Sequence, residues 1–270
     1  VPPTDPDAID DVDVMGVVLP PASYLVGLDT FEHWTGQWEE MDVVAYSLHK
    51  FVRLLLKGNP NVLGLLWLRE EDYLLRGPAF ERQIANRSLF AHKGVYASFA
   101  GYAAGQLHKM TSYSPAVQAE IDALEVTLNA AGWLTSEVMD GRALPMPKGL
   151  APDEANRKAA RFKHLRAKYH AAHMGEKRRG LVIKHGYDTK NAAHLIRLLR
   201  MAGEFLRTGD LPVYRTHDAD LLRAIKRGEW TLDDVKVLAE KLFADVKVAR
   251  DTSALPEEPD YPRINTLVTE

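Results

Sequence analysis

The chain has 270 residues, of which 46% are hydrophobic and 26% are charged, and its formal net charge at pH 7 is −3. This length suffices for one large domain or two modest ones, and the near-neutral charge excludes a polycation, so any contact with nucleic acid must come from a local patch. The absence of cysteine excludes disulfides and thiolate metal sites. It also favours a reducing cytoplasm, while no apolar run approaches the roughly 20 residues of a membrane helix and no signal peptide is visible.

The first part of the chain predicts a loop followed by two strands. Residues 1–10 are rich in Pro and Asp, which favour turns. Residues 14–19 are rich in β-branched side chains and continue a strand that begins at Asp11, and a Pro-Pro pair ends it. Residues 42–46 predict a second strand.

The remainder of the chain predicts helices, because apolar residues recur at helical spacing between start and stop signals. Gly58 suits the end of one helix, and Asn59-Pro60 suits the start of the next. Thr231 and Asp234 resemble a capping box. The predicted helices cover residues 48–57, a segment from residue 59 onward, and residues 93–109, 116–131, 157–173, 189–206 (capped by Asp188 or Thr189) and 231–248.

Three aspartates in the predicted strands are candidate metal ligands. Side chains at i and i+2 of a strand leave the same face, so Asp11 and Asp13 point together, and a neighbouring strand can bring Asp42 beside them. Three carboxylates at one place repel one another unless cations lie between them, and hard cations such as Mg²⁺ take oxygen ligands. A paired-metal site of this kind serves phosphoryl transfer. The same aspartates also fit a solvated acidic turn, in which this residue is common.

A second candidate constellation is cationic. Lys190, His194 and Arg197 lie at i, i+4 and i+7, so they share one face of a predicted helix whose other face is apolar. Lysine offers phosphates a point charge and arginine offers them a planar fork. An ordinary solvated helix face explains the same pattern.

Residues 157–179 form a strongly basic segment. Its positive charge is suited to a phosphate backbone. The interleaved candidates for stacking on bases are Phe162, His164, Tyr169 and His170. A solvated helix face is again the alternative. The nine basic residues, opposed by Glu176 alone, are Arg157, Lys158, Arg161, Lys163, Arg166, Lys168, Lys177, Arg178 and Arg179.

Several segments together carry a family resemblance. They are DDVDVMGV (10–17), YLVGL (24–28), DVVAYSLHKF (42–51), LKGNPNV (56–62), FAGYAAGQL (99–107), GYDTKNAAHLIRLLRM (186–201) and RGEW (227–230). In these segments the chain is similar to the predicted nucleotidyltransferases of the DNA polymerase beta superfamily, in the bacterial and phage branch associated with RNA repair. The resemblance covers nearly the whole chain except for about residues 114–180.

The resemblance implies an α+β fold, with a small mixed β-sheet nucleotidyltransferase core followed by a largely helical C-terminal region. We expect the core with flanking helices in residues 1–138 and the helical region in residues 153–252. The Pro- and Gly-rich residues 139–152 read as a linker. The Pro- and Glu-rich residues 253–270 are expected to form an extended tail.

The resemblance also implies an activity. Asp11 and Asp13 match the paired metal ligands and Asp42 the third acid, so we expect two Mg²⁺ (or Mn²⁺) ions and an NTP, with transfer of a nucleoside monophosphate to an acceptor hydroxyl and release of pyrophosphate. Lys190, His194 and Arg197 are expected to face the nucleotide or the acceptor, and we assign them to nucleotide binding. RNA is the expected acceptor, held by Arg161, Lys163, Arg166, Lys168, Lys177, Arg178 and Arg179.

Two departures from the family pattern favour an alternative, a catalytically impaired protein that keeps the fold and serves in nucleic-acid binding or in another interaction. The family's Gly-Ser turn, which holds the triphosphate through backbone N–H groups, does not directly precede Asp11, and we expect it upstream of Val1. Gly64 also stands where the family usually has glutamate.

Overall fold

The computed structural model describes residues 12–39, 41–111, 115–168 and 176–269. Within these ranges a small mixed sheet near the N-terminus is followed by helices, so the predicted α+β class is confirmed. The chain divides into two compact units, one made of residues 1–104 and 194–270 and the other of residues 105–193.

The sheet has three strands, β1 (Val12–Val18), β2 (His33–Trp38) and β3 (Met41–Ser47), in the order β1-β3-β2. The central strand β3 runs parallel to β1 and antiparallel to β2. Because parallel strands need a crossover, the short helix α1 (Ala22–Val26) lies in the connection that follows β1. A tight hairpin joins β2 to β3, and Glu39 in its turn has a φ of 55°. The sequence predicts β1 and β3 but not β2.

The first unit contains the sheet and an apolar helical core. Its buried side chains include Phe51, Leu63, Phe99 and Leu199. Besides α1, the helices that lie wholly in this unit are α2 (Leu48–Leu56), α3 (Pro60–Leu63), α4 (Pro78–Ala85), α11 (Ala219–Lys226), α12 (Leu232–Thr252) and α13 (Tyr261–Thr269). The unit shares α5 (Val95–Thr111) and α10 (Thr189–Thr208) with the second unit.

The helix boundaries of the first unit follow the predicted signals. The side chain of Asn59 accepts hydrogen bonds from the backbone N–H groups of residues 61 and 62 and so caps α3. Gly58 has a φ of 61°, and a Cβ there would lie 2.7 Å from Cγ2 of Val95, so only glycine fits. Thr231 and Asp234 form the predicted capping box of α12.

The second unit is helical and has its own core. It contains α6 (Pro115–Ala130), α7 (Thr135–Asp140), α8 (Pro152–Lys168) and α9 (Glu176–His185). Along α8 the buried residues recur at helical spacing, so this helix packs one face on α6 and α7. The core consists of Ile121, Leu128, Trp133, Val138, Ala155, Ala159, Phe162 and Leu165.

Two expectations about organisation need comment. The boundaries between the compact units lie after residues 104 and 193, within α5 and α10, and not at the predicted positions 138 and 153. The expectation of an extended tail over residues 253–270 is wrong for α13: Asp260 accepts a hydrogen bond from the N–H of Arg263 at 3.1 Å, and Ile264 is buried. A local cap and one buried apolar side chain therefore suffice for a helix there. Among the described helices, none is long and apolar enough to cross a membrane.

Candidate active site

Two of the three candidate metal ligands lie side by side on the sheet. Asp13 of β1 pairs with Asp42 of β3 in the parallel register, and adjacent strands are about 4.8 Å apart. Paired residues of neighbouring strands point to the same face, so the two carboxylates are neighbours, and both residues are exposed. The strand argument from the sequence thus predicts this pairing correctly. Asp11 lies outside the described residues.

Asp13, Asp42 and Gln37 lie side by side in one row on the three neighbouring strands, with Gln37 on β2. Gln37 pairs with Asp42 in the antiparallel register, and its Nε2 donates a hydrogen bond to Oδ1 of Asp42 at 3.1 Å. This bond restrains the carboxylate while Oδ2 stays available. Gln37 is absent from the predicted site because β2 itself is not predicted.

The donor set of this row suits a hard divalent cation. Asp13 and Asp42 offer carboxylate oxygens from adjacent strands, without nitrogen or sulfur ligands, and their exposure leaves room for water and phosphate oxygens. Mg²⁺ keeps several waters and binds through one or two carboxylates plus substrate phosphates. The chemistry of these side chains therefore fits Mg²⁺ or Mn²⁺.

The cationic row lies on α10 as predicted. Asp188 caps this helix by accepting a hydrogen bond from the N–H of Asn191 at 3.0 Å. Lys190 follows in the first turn and is exposed, whereas His194 and Arg197 are half-buried. Nη2 of Arg197 lies 3.2 Å from Nδ1 of His194.

Arg197 is in an environment that disfavours its own charge. Burial lowers the pKa of its guanidinium, and the positive charge of Arg215 lowers it further. Within the part of the chain that the structure describes, no carboxylate lies within ion-pair distance of Arg197; its polar side-chain contact is His194.

An aromatic side chain lies beside the same histidine. The rings of Tyr102 on α5 and His194 have centroids 6.2 Å apart and are tilted by 48°. The hydroxyl of Tyr102 accepts a hydrogen bond from Nδ2 of Asn61 at 3.2 Å, and 39% of Tyr102 is exposed. Both Asn61 and Tyr102 lie in segments that carry the family resemblance, but the sequence assigns neither of them a role.

A second acidic cluster surrounds Arg215. Glu204, His217 and Asp218 each offer an atom within 4.8 Å of the others, which is close enough to hold a metal ion. The guanidinium of Arg215 already occupies this place. It donates to both oxygens of Glu204 at 2.8 Å and to Oδ1 of Asp218 at 2.8 Å, and it lies 2.9 Å from Nε2 of His217. The cluster is therefore an ion-pair network centred on the buried side chains of Arg215 and Asp218, in which arginine supplies the positive charge.

The pKa values in this network follow from the arginine. Burial would raise the pKa of Glu204 and of Asp218, but the hydrogen bonds and charge of Arg215 outweigh it, so both carboxyl pKa values lie below their usual range. Burial lowers the pKa of Arg215, and the two carboxylates more than reverse this. All three groups are therefore charged at neutral pH.

The basic segment is only partly described. Arg157, Arg161 and His164 lie on the exposed face of α8, and Arg161 forms a bidentate ion pair with Glu120, with distances of 2.7 and 3.0 Å. Lys163 and Arg166 are half-buried. The side chains of Lys168, Lys177, Arg178 and Arg179 lie outside the described part of the structure.

One expectation about this segment is wrong. Phe162 is fully buried in the core of the second unit and cannot stack on a base. Its ring instead supports Arg166, whose guanidinium carbon lies 5.6 Å from the ring centroid. Phe162 continues the apolar stripe of α8, which sequence spacing alone does not distinguish from an interleaved stacking residue.

Comparison with known proteins identifies the family. The family model described as "RlaP: RNA repair pathway DNA polymerase beta family" matches residues 5–270. This chain belongs to the RNA repair pathway DNA polymerase beta family. No curated protein and no solved structure matches the chain significantly. The membership agrees with the resemblance seen in the sequence.

One departure from the expected family pattern has a visible setting. Gly64 is buried at the start of a 3₁₀ turn, Gly64–Trp67. A Cβ at this position would lie 3.3 Å from Cγ2 of Val213. A glutamate would therefore require its neighbours to shift, and the packing here is adapted to glycine.

Proposed function

We propose that this protein is a metal-dependent nucleotidyltransferase that moves a nucleoside monophosphate from an NTP to an acceptor hydroxyl and releases pyrophosphate. The observation that carries the proposal is the parallel register that sets Asp13 beside Asp42 in a chain of the polymerase beta family. Two exposed carboxylates on adjacent strands are electrostatically unfavourable unless a cation lies between them.

Asp11, Asp13 and Asp42 would hold the cations. When bound, Mg²⁺ or Mn²⁺ neutralises phosphate charge and lowers the pKa of an acceptor hydroxyl. Gln37 fixes the rotamer of Asp42, and Asp42 accepts the proton of the attacking hydroxyl. The new bond joins the acceptor oxygen to the α-phosphorus, and the bond between the α-phosphorus and the bridging oxygen breaks, so that pyrophosphate leaves.

The cationic row of α10 supports nucleotide binding. Lys190, His194 and Arg197 recur on one face of this helix, where lysine and arginine would meet phosphate oxygens. We assign RNA as the acceptor, which the family's place in RNA repair supports. The exposed face of α8 with Arg157 and Arg161, together with the remaining basic residues of 157–179, would hold its backbone.

A second candidate is a nucleic-acid-binding protein that keeps the fold but transfers no nucleotide. The basic face of α8 favours this candidate, because RNA could bind to that surface without any contribution from Asp13 and Asp42. RNA binding that weakens steeply with salt, without metal-dependent chemistry, would identify this case.

The test is transfer of label from each of the four α-³²P-NTPs to pooled RNA in Mg²⁺ or Mn²⁺, using the full-length protein. We expect transfer by the wild type and its loss in Asp13→Ala and Asp42→Ala. Asp220→Ala is the matched control, because the Asp220 side chain is 98% exposed. Transfer by Asp13→Ala at the wild-type rate would end the proposal.

A further inference from the structure

The charge around Arg197 suggests that a ligand is part of this region. Arg200 and Arg215 lie close to two carboxylates, those of Glu204 and Asp218, and the charge of Arg215 also acts on Arg197. Arg215 contacts both carboxylates directly, and Arg200 reaches Oδ2 of Asp218 only at 3.5 Å. One positive charge is left over, and it belongs to Arg197, which has no carboxylate partner among the described residues.

Such a cation is costly to the protein without a ligand. An arginine does not lose its proton, so the unfavourable effects of burial and of Arg215 on Arg197 are borne by the folded state. Groups that are unfavourable for stability cluster at functional sites, where a ligand compensates them. An anion placed against Arg197 would relieve both effects at once.

The neighbours of Arg197 indicate what else the anion carries. Arg197 and Tyr102 lie against the same imidazole, that of His194. Nδ2 of Asn61 donates a hydrogen bond to the hydroxyl of Tyr102, and Tyr102 remains 39% exposed. Exposed aromatic rings stack on nucleobases in a way that tolerates any base. A guanidinium can bind a phosphate and a partly exposed aromatic ring can stack on a base. Because both groups contact the imidazole of His194, a nucleotide fits them better than a simple anion does.

We propose that Arg197 binds a phosphate of the NTP, that Tyr102 provides the stacking surface for its base, and that Asn61 is a positioning residue for Tyr102. This inference deepens the proposed function and rests on it for the identity of the nucleotide.

The experiment distinguishes the binding of the phosphates from the binding of the base. Binding of sodium tripolyphosphate and of ATP is measured by calorimetry on the full-length protein in EDTA. Arg197→Gln is expected to weaken both ligands about 10- to 100-fold, the effect of losing a charge-assisted hydrogen bond. Tyr102→Leu is expected to weaken ATP by about 5- to 100-fold and to leave tripolyphosphate unchanged, whereas Tyr102→Phe keeps the ring and most of the affinity.

A matched control and a stability readout distinguish binding from a structural role. Arg207→Gln removes the same charge from the same helix, at a surface ion pair with Asp245, and is expected to leave both affinities unchanged. Since Arg197 is unfavourable in the absence of ligand, Arg197→Gln should melt no lower than the wild type. Tripolyphosphate should raise the Tm of the wild type but not that of Arg197→Gln.

Three outcomes would overturn the inference. The first is wild-type tripolyphosphate affinity in Arg197→Gln, and the second is an equal loss in Arg207→Gln. The third is that Arg197→Gln loses binding of an oligoadenylate but not of tripolyphosphate, which would make an RNA phosphate the ligand. Asp13→Asn keeps tripolyphosphate binding in EDTA. Absent transfer together with intact Arg197-dependent binding would therefore refute the transferase activity alone.

Discussion

Replacement of Arg215 by methionine should destabilise the first unit strongly. The side chain of Arg215 is 4% exposed and that of Asp218 is 0% exposed, so the variant leaves a buried carboxylate whose remaining cation is Arg200 at 3.5 Å. Removal of one partner from a buried ion pair costs about 3–5 kcal/mol of unfolding free energy. Domains are stable by only about 5–15 kcal/mol, so the loss is a large fraction of the total.

The loss should depend on pH. The pKa values of Glu204 and Asp218 are lowered in the folded wild type because Arg215 outweighs burial. Their contribution to stability is therefore complete above the ordinary carboxyl pKa values, above about pH 5, and disappears as the pH falls through the lowered values. In Arg215→Met the buried carboxylate of Asp218 instead gains from protonation. The difference in unfolding free energy between the wild type and the variant is thus largest near pH 7 and shrinks toward pH 4.

Urea unfolding followed by circular dichroism at pH 7 and pH 4.5 measures this difference. Arg223→Met is the control, because its ion pair with Asp220 lies on the surface, where such pairs contribute little. An Arg215→Met protein that loses no more stability than Arg223→Met would refute the reasoning. A loss of the same size at both pH values would refute it as well.

Three further predictions concern the rest of the chain. Phe162→Ala should lower the unfolding free energy by about 3–5 kcal/mol, because the ring is fully buried in the second unit; urea unfolding with wild-type behaviour would contradict its place in the core. Thr231→Ala should cost about 1 kcal/mol through loss of the capping box, and Thr231→Ser, which keeps the hydroxyl, should restore most of it. If RNA lies along α8, Arg157→Gln should reduce the slope of log K against log salt by about 0.7 for the one phosphate contact that is lost, as measured by fluorescence anisotropy, and an unchanged slope would exclude that contact.

The sequence predicts features that depend on local chemistry. The β-branched residues between 14 and 19 identify β1. Gly58 with Asn59-Pro60 gives a helix boundary, because each residue type satisfies one backbone requirement there. The pairing of Asp13 with Asp42 can also be predicted from the sequence. Side chains alternate along a strand, so each one lies on one of only two faces of the sheet.

Features that depend on contacts between distant parts of the chain cannot be predicted from the sequence. The side chains of β2 are exposed on nearly every position, so no apolar alternation marks it, and the contact of Gln37 with Asp42 is lost with it. The network around Arg215 joins Glu204 to residues that follow it by 11 to 14 positions through a loop. Only the fold brings these residues together, and only the fold shows that no carboxylate among the described residues pairs with Arg197.

The position of the label in the NTP tests the central claim most directly. The wild-type protein is incubated with RNA, Mg²⁺ and an NTP that carries ³²P at either the α- or the γ-phosphorus, and Asp13→Asn is treated in parallel. We predict that the wild type transfers the α-label to RNA and releases the γ-label in pyrophosphate. Asp13→Asn should neither label RNA nor release labelled pyrophosphate. Transfer of the γ-label to RNA, or transfer of the α-label by Asp13→Asn at the wild-type rate, would contradict the account.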